Sequence, residues 1–346
     1  MAIKTLAVKY RPQTFDDIVE QDAVKIILQQ QLASGETKNA YLFCGPAGDG
    51  KTTTARIFAK EINKGQGNPI EMDAASNSGV EDVRNISQQA QTKSFDSEYK
   101  VFIIDECHSI SNTGWQAFLK LIEEPPAKSI FIFCTTDPQK IPKTILSRVQ
   151  RYDFQRISQK GIVNRLEAIL MGEYGVGHVG LTDALEYIAK LADGGMRDAI
   201  SLMDKCLAFS KDLTLENVVK ALGTVNYQCM CDLTGDILIG QYKVCLERIK
   251  ALYEDGKDLK QFLKQYMYFI LDILELDLGC DWGLVDIPKL PEYESWIKNL
   301  DTEDYIQLQA LLKELVKINA EIKYSSTPKN DIEAALLIFM LDKEEQ

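Results

Sequence analysis

The stretch Gly45-Pro46-Ala47-Gly48-Asp49-Gly50-Lys51-Thr52 constrains this chain more than any other. It matches G-x-x-x-x-G-K-[ST], a loop whose glycines let backbone N–H groups curl around phosphate oxygens. The residues before it, 41–44, are a short apolar run suited to a buried parallel strand, and residues 51–63 have helical spacing. A strand feeding a Gly-rich turn that opens a helix is the context the motif needs, because the helix N-terminus adds partial positive charge. In that setting Lys51 reaches the β- and γ-phosphates, and the Thr52 hydroxyl binds Mg²⁺.

The surrounding pattern extends this loop into a domain. Apolar runs at 41–44, 69–72, 100–104, 130–134 and 150–154 alternate with helical patterns at 51–63, 79–92 and 112–124. Such alternation predicts an α/β fold, a parallel five-stranded sheet flanked by helices. Val101-Phe102-Ile103-Ile104-Asp105-Glu106 is a buried-strand pattern ending in two carboxylates, delivered to the sheet edge where α/β proteins bind ligands. There Asp105 can hold Mg²⁺, and Glu106 can orient and polarise an attacking water. The run Ile130–Cys134 ends in Thr135-Thr136 at the same edge. Thr136 serves either a γ-phosphate or its water, or else the local backbone, and the residues alone leave both open. Arg148, after the helical turn 140–146, reads locally as a solvated charge.

Residues 158–222 read as a small helical unit with helices at 158–170, 183–192, 196–209 and 214–222; residues 226–346 carry no strand signal. Around 260–274 a wide apolar face suits a core or subunit interface. The expected division is 1–157, 158–223 and 224–346. Residues 4–19 lack sustained periodicity, Pro12 blocks a continuous helix, and an extended arm leading to a helix near 21–32 is expected.

Charge decides where a polyanionic partner can bind. Residues 1–157 carry 19 Lys+Arg against 19 Asp+Glu, whereas 158–346 carry 20 against 32. Any DNA contact is therefore confined to the first part. Eight cysteines show no secreted framework and are read as reduced thiols of a cytoplasmic protein. The apolar stretch 262–278 is interrupted by Lys264, Asp272, Glu275 and Asp277, so no membrane association is expected.

Together these motifs resemble the gamma/tau family of bacterial DNA polymerase III, AAA+ ATPases of the sliding-clamp loader. The likeness rests on Tyr10-Arg11-Pro12 with Phe15, Gly45–Thr54, Asp73-Ala74-Ala75-Ser76-Asn77 and Asp105-Glu106-Cys107-His108. It continues in Leu121-Ile122-Glu123-Glu124-Pro125-Pro126, Thr135–Lys140, Leu146-Ser147-Arg148 and Gly194-Gly195-Met196-Arg197-Asp198-Ala199. The resemblance covers residues 4–210 nearly continuously and is weaker after 225.

The resemblance implies an ATP- and Mg²⁺-dependent motor with a nucleotide-binding domain, a helical lid and an all-helical collar. It assigns nucleotide contacts to Tyr10, Arg11, Val19, Gly45, Gly48, Gly50, Lys51, Thr52 and Thr53, the first three around adenine. Thr136 and Arg197 resemble the two sensor residues, and Arg148 the finger entering a neighbouring subunit's ATP site. Asn77, Ser78, Gly79, Asn112, Thr113 and Gln116, at two helix starts, would meet DNA phosphates. The implied partners are other clamp-loader subunits in a pentamer-like ring, the sliding clamp and primer–template DNA. A branch-migration motor is disfavoured because no winged-helix pattern follows 225. A non-hydrolysing structural subunit is disfavoured by intact Lys51, Asp105, Glu106 and Arg197.

Two departures stand out. Val149 follows Ser147-Arg148 where the family usually has Cys. The family's four-cysteine zinc module is replaced by Asn63-Lys64-Gly65-Gln66-Gly67-Asn68-Pro69, so a direct helix-to-strand connection and no zinc are expected. The chain also ends at 346, and a compact form without the long form's additional domains is expected.

Overall fold

A computed structural model describes residues 5–77, 79–174, 181–222, 227–322 and 325–344. The chain divides into two compact units, Met1–Thr214 and Leu215–Gln346. Residues 4–19 were expected to be extended, and the described part corrects this. Leu6–Lys9 form one helical turn (α1), and Phe15–Asp17 a 3-10 turn. The second turn forms because the Asp17 carboxylate accepts the N–H groups of Gln13 and Thr14, each at 3.0 Å, while Phe15 is buried.

The first unit continues through α2 (Asp22–Ser34), β1 (Ala40–Cys44), α3 (Lys51–Ile62), β2 (Ile70–Asp73), α4 (Val80–Ala90) and β3 (Lys100–Asp105). It goes on through α5 (Asn112–Glu123), β4 (Ser129–Thr135), α6 (Lys143–Leu146) and β5 (Gln150–Asp153). The five strands are parallel in the order β2-β3-β4-β1-β5. Period-two alternation sends successive residues to opposite faces, and both faces are covered. Leu42, Phe102, Ile104, Phe131 and Phe133 pack with Val83 and Ile86 of α4 and Trp115, Phe118 and Leu121 of α5. Tyr41, Phe43, Val101, Ile103, Ile130 and Ile132 pack with Val24 and Leu28 of α2 and Ala55, Ile57 and Phe58 of α3. Burying each such large side chain contributes about 1.5–3 kcal/mol, so the sheet is a rigid platform for its C-terminal edge.

The connection from α3 to β2 is direct. Lys64, Gly65 and Gly67 all have positive φ (52°, 80° and 64°), which turns the chain within a few residues. Asn63 anchors it: its Nδ2 donates to Tyr99 O at 2.9 Å and its Oδ1 accepts Tyr99 N at 2.8 Å.

Three helices complete the first unit: α7 (Gln159–Tyr174), α8 (Thr182–Leu191) and α9 (Met196–Phe209). Leu166, Ile169, Leu185, Ile188 and Met203 are buried among them.

The second unit holds α10 (Leu215–Leu222), α11 (Tyr227–Leu238), α12 (Tyr242–Glu254), α13 (Leu259–Asp277), α14 (Pro291–Lys298), α15 (Thr302–Glu321) and α16 (Pro328–Glu344). The apolar face expected at 260–274 is its core. Phe262, Leu263, Tyr266, Phe269, Ile270 and Ile273 share a buried cluster with Leu308, Leu311 and Leu315 of α15 and Ile332 and Leu336 of α16. Asp258 caps α13 by accepting Lys260 N and Gln261 N, and Asp301 caps α15 through Asp304 N. The buried Asp272 carboxylate accepts Asp286 N at 2.7 Å and Ile287 N at 3.1 Å, which pins the loop before α14.

Candidate active site

The loop after β1 crosses the C-terminal edge of the sheet between β4 and β5 before entering α3, so it lies in the crevice where α/β sheets take ligands. Its glycines are required by space. A Cβ on Gly45 would lie 2.2 Å from Asp49 Oδ2 and 2.7 Å from Phe154 O. One on Gly48, whose φ is 78°, would lie 3.0 Å from Gly195 Cα. Gly50 precedes α3 and offers no side-chain cap, so the helix's positive end faces the crevice without a capping oxygen from that residue.

A cavity of about 790 Å³ opens over this loop, a size suited to a small-molecule ligand. Lys51, Thr52, Thr53, Arg56, Asp105 and Glu106 line its polar end. Tyr10, Arg11, Pro12, Ile18, Val19, Met196 and Ile200 also line it, giving a second region that is partly apolar. The N-terminal arm is held against α7 and α9 there. Leu6 N donates to Asp204 Oδ2 at 3.2 Å, and Arg165 Nη2 donates to Tyr10 O at 3.1 Å. Lys9 also pairs with Glu173, whose carboxyl is held below its usual range by hydrogen bonds from Lys9 and Tyr10.

At the sheet edge the acids and hydroxyls converge. Thr52 Oγ1 donates to Asp105 Oδ2 at 2.7 Å, and Asp105 Oδ1 accepts Glu106 N at 3.0 Å. Glu106 sits in the left-handed region at φ 45°, where the chain turns sharply off β3. Its Oε2 accepts Thr136 Oγ1 at 3.2 Å and lies 3.3 Å from His108 Nδ1. His108 Nδ1 is also 3.2 Å from Thr135 Oγ1, so β4 fixes this carboxylate through two neighbouring residues. Lys51 Nζ donates to Gly45 O at 2.8 Å, to Pro46 O and to Asp49 Oδ1 at 3.0 Å. Burial pushes the Asp49 carboxyl above its usual range, opposed by the adjacent Lys51 charge.

This donor set fits a hard divalent cation. A hydroxyl and a carboxylate 2.7 Å apart are oxygen ligands of the kind Mg²⁺ takes, with substrate phosphates and waters completing its shell. Among the described residues no group of three or more His, Cys, Asp or Glu side chains is arranged to hold a metal by itself.

Residues 68–158 match the family model described as DNA polymerase III, delta subunit, and residues 161–212 the model for the DNA polymerase III clamp loader subunit, ATPase lid domain. DNA polymerase III subunit tau of Bacillus subtilis is 35% identical over 97% of this chain and 63% of its own length. Subunit tau of Escherichia coli is 38% identical over 65% of this chain and 38% of its own length. The chain is similar to the gamma/tau subunits of DNA polymerase III over most of its length. It spans less than two thirds of the length of these curated relatives. Among solved structures, the Thermotoga maritima RuvB Holliday junction branch migration motor aligns with a TM-score of 0.52 at 20% identity, over 72% of this chain and 86% of that one. That likeness is one of AAA+ fold.

The remaining residues assigned from the gamma/tau resemblance fall into three places. Arg197, in the first turn of α9, lines the cavity. Arg148 does not line it: its Nε lies 2.8 Å from Glu123 Oε1, and its Nη1 donates to Thr144 O at 2.9 Å and Ser147 Oγ at 3.0 Å. Asn77, Gly79, Asn112, Thr113 and Gln116 are exposed at the starts of α4 and α5, and Ser78 lies outside the described residues. Two of the donors there are already used. Gly79 N is bonded to Asp82 Oδ2 at 3.2 Å, and Gly114 N to Ser111 Oγ at 3.1 Å.

Sequence reasoning missed Arg56, His108, Arg165, Asp204 and the side chain of Asp49. His108 stands two residues from Glu106 in the stretch Asp105-Glu106-Cys107-His108, which carries the resemblance but gave this residue no role. Arg165 and Asp204 reach the arm from helices more than 150 residues downstream, and no local pattern marks them.

Proposed function

We propose that this chain is the ATP-hydrolysing motor subunit of a sliding-clamp loader, cytoplasmic and acting in DNA replication. The observation that carries the reading is the joining of Thr52 to Asp105 at 2.7 Å, beside Lys51 and a Glu106 carboxylate held by Thr136. A triphosphate lying along Gly45–Thr52 meets loop N–H groups and Lys51, and its base lies towards Tyr10, Arg11 and Val19. Thr52 and Asp105 hold Mg²⁺, which when bound neutralises charge on the β- and γ-phosphates. Glu106 orients the attacking water, and Thr136 and His108 keep its carboxylate at the sheet edge. Arg197 reaches the nucleotide from α9, so that residues 158–223 act as a lid reporting nucleotide state.

In the assembled ring, Arg148 enters the neighbouring subunit's site, and residues 224–346 form the collar that joins subunits. ATP binding assembles a spiral that holds the clamp open on primer–template DNA, with the starts of α4 and α5 facing DNA phosphates, and hydrolysis releases it. The neutral charge balance of residues 1–157 supports phosphate contacts through helix ends rather than through a basic surface.

ATP binding and turnover by two variants test the reading. Lys51→Ala should lose nucleotide binding, whereas Glu106→Gln should bind ATP with Mg²⁺ and lose turnover by about 10²-fold or more. Turnover at the wild-type rate by Glu106→Gln would refute the assigned chemistry.

A further inference from the structure

The phosphate loop of this chain carries a carboxylate on its inner side. Asp49 is 1% exposed, and its Oδ1 pairs with Lys51 Nζ at 3.0 Å. Its Oδ2 is buried without a hydrogen-bond partner among the described residues. Lys51 is itself only 6% exposed and has three N–H donors. All three are taken by its own loop, at Gly45 O, Pro46 O and Asp49 Oδ1. A phosphate oxygen that binds Lys51 must therefore displace one of these acceptors.

The displaced acceptor is costly whichever it is, and Asp49 is the charged one. While paired, each ion offsets the other's burial; where Asp49 is the partner exchanged, its buried carboxylate keeps the Lys51 N–H, 3.3 Å away, as a donor and is left beside further negative charge. We propose that Asp49 is an affinity-setting residue of the nucleotide site, which retains Lys51 on the loop and so weakens the grip on di- and triphosphates. The inference rests on the reading of this site as an ATP site and deepens it. It makes the loop self-restraining: nucleotide enters by exchanging one lysine partner for another, and product leaves with Asp49 ready to recapture Lys51.

The test is isothermal titration of the full chain with ATP, ADP and AMP in the presence of Mg²⁺, comparing wild type with Asp49→Asn. The amide keeps the side chain's shape and removes its charge. Asp49→Asn should bind ATP and ADP about tenfold more tightly, the size expected for losing one of several competing partners of a buried lysine. AMP, which has no phosphate at the Lys51 position, should bind both proteins alike. Unchanged or weaker ATP binding by Asp49→Asn overturns the proposal, as does an equal gain for AMP, which would mark a general loosening of the cavity. Asp49→Thr is the second variant: if the amide lowers the folded fraction in circular dichroism, the hydroxyl must give the same gain or the proposal falls. Wild-type protein that binds no ATP, or Lys51→Ala that binds it as wild type does, would refute the ATP-site reading and this inference with it. Binding through Lys51 with no gain from Asp49→Asn would refute the inference alone.

Discussion

Met196 N donates to Gly48 O at 3.0 Å, and this bond ties the first turn of α9 to the crest of the phosphate loop. The neighbouring backbones are in contact as well, since a Cβ on Gly48 would stand 3.0 Å from Gly195 Cα. Gly48 also occupies the left-handed region at φ 78°. Bond and contact join the loop to the helix, and on the proposed reading they are the route by which a nucleotide at Lys51 would act on Arg197.

Gly48→Ala should break this coupling. A side chain at that φ costs about 1–2 kcal/mol, and the crowding against Gly195 adds to it. The melting temperature should fall by a few degrees, roughly 2–4 °C per kcal/mol for a unit of this size. ATP affinity should fall about tenfold. Thermal unfolding and nucleotide titration check both; an unperturbed protein with wild-type affinity would show that the contact carries no coupling.

Thr136→Val removes the hydroxyl that donates to Glu106 Oε2 at 3.2 Å and keeps the side chain's volume. Its expected effect is on the chemical step, because Glu106 retains only His108 as a side-chain partner among the contacts described above. Turnover should drop about tenfold or more with ATP affinity little changed, and Thr136→Ser should restore most of it. Steady-state ATPase kinetics decide this, and a loss of affinity with turnover intact would instead place Thr136 on the nucleotide.

The thiols give a check on the core. Cys107 and Cys134 are fully buried and burial pushes both well above the ordinary thiol range, while Cys44, Cys206 and Cys245 are pushed up to about 11 and Cys231 to about 12. Raised values mean less thiolate at a given pH, and burial blocks the reagent besides. Burial raises Cys229 as well, so accessibility decides: at pH 8 the native protein should react with Ellman's reagent only at Cys229 and Cys280, which are half-buried, and unfolded protein at all eight. Four or more fast-reacting thiols in the native state would contradict this packing.

The sheet was legible because its strands are written as apolar runs alternating with amphipathic helices, and the boundaries differ from expectation by only one or two residues. Lys51, Thr52, Asp105 and Glu106 were legible because each closes or opens an element whose type the local sequence sets. The arm was not. The α1 turn is four residues long and is held by Asp204 and Arg165 from the far side of the cavity, so its conformation is decided by contacts no local window contains. Asp49 was hidden differently: it fills a variable position of the motif, and only the folded loop brings its Oδ1 to 3.0 Å from Lys51 Nζ.

Arg148 is the residue whose surroundings say least about its role and most about how to test it. Its guanidinium lies 2.8 Å from Glu123, with the two side chains 40% and 43% exposed. An ion pair this open contributes about 0–1 kcal/mol, so Arg148→Ala should leave folding and ATP binding by the isolated chain essentially unchanged. That makes the residue a clean probe of action in trans. If Arg148 completes the neighbouring subunit's site, an assembly containing only Arg148→Ala should lose ATPase activity by about 10³-fold or more. Mixing Arg148→Ala with Lys51→Ala chains should restore part of it, because some interfaces then pair an intact loop with an intact arginine. Glu123→Gln serves as the control, since it frees Arg148 without removing it and should not lower the rate. Full activity of the all-Arg148→Ala assembly, or loss of activity in the isolated chain, would refute the trans arrangement.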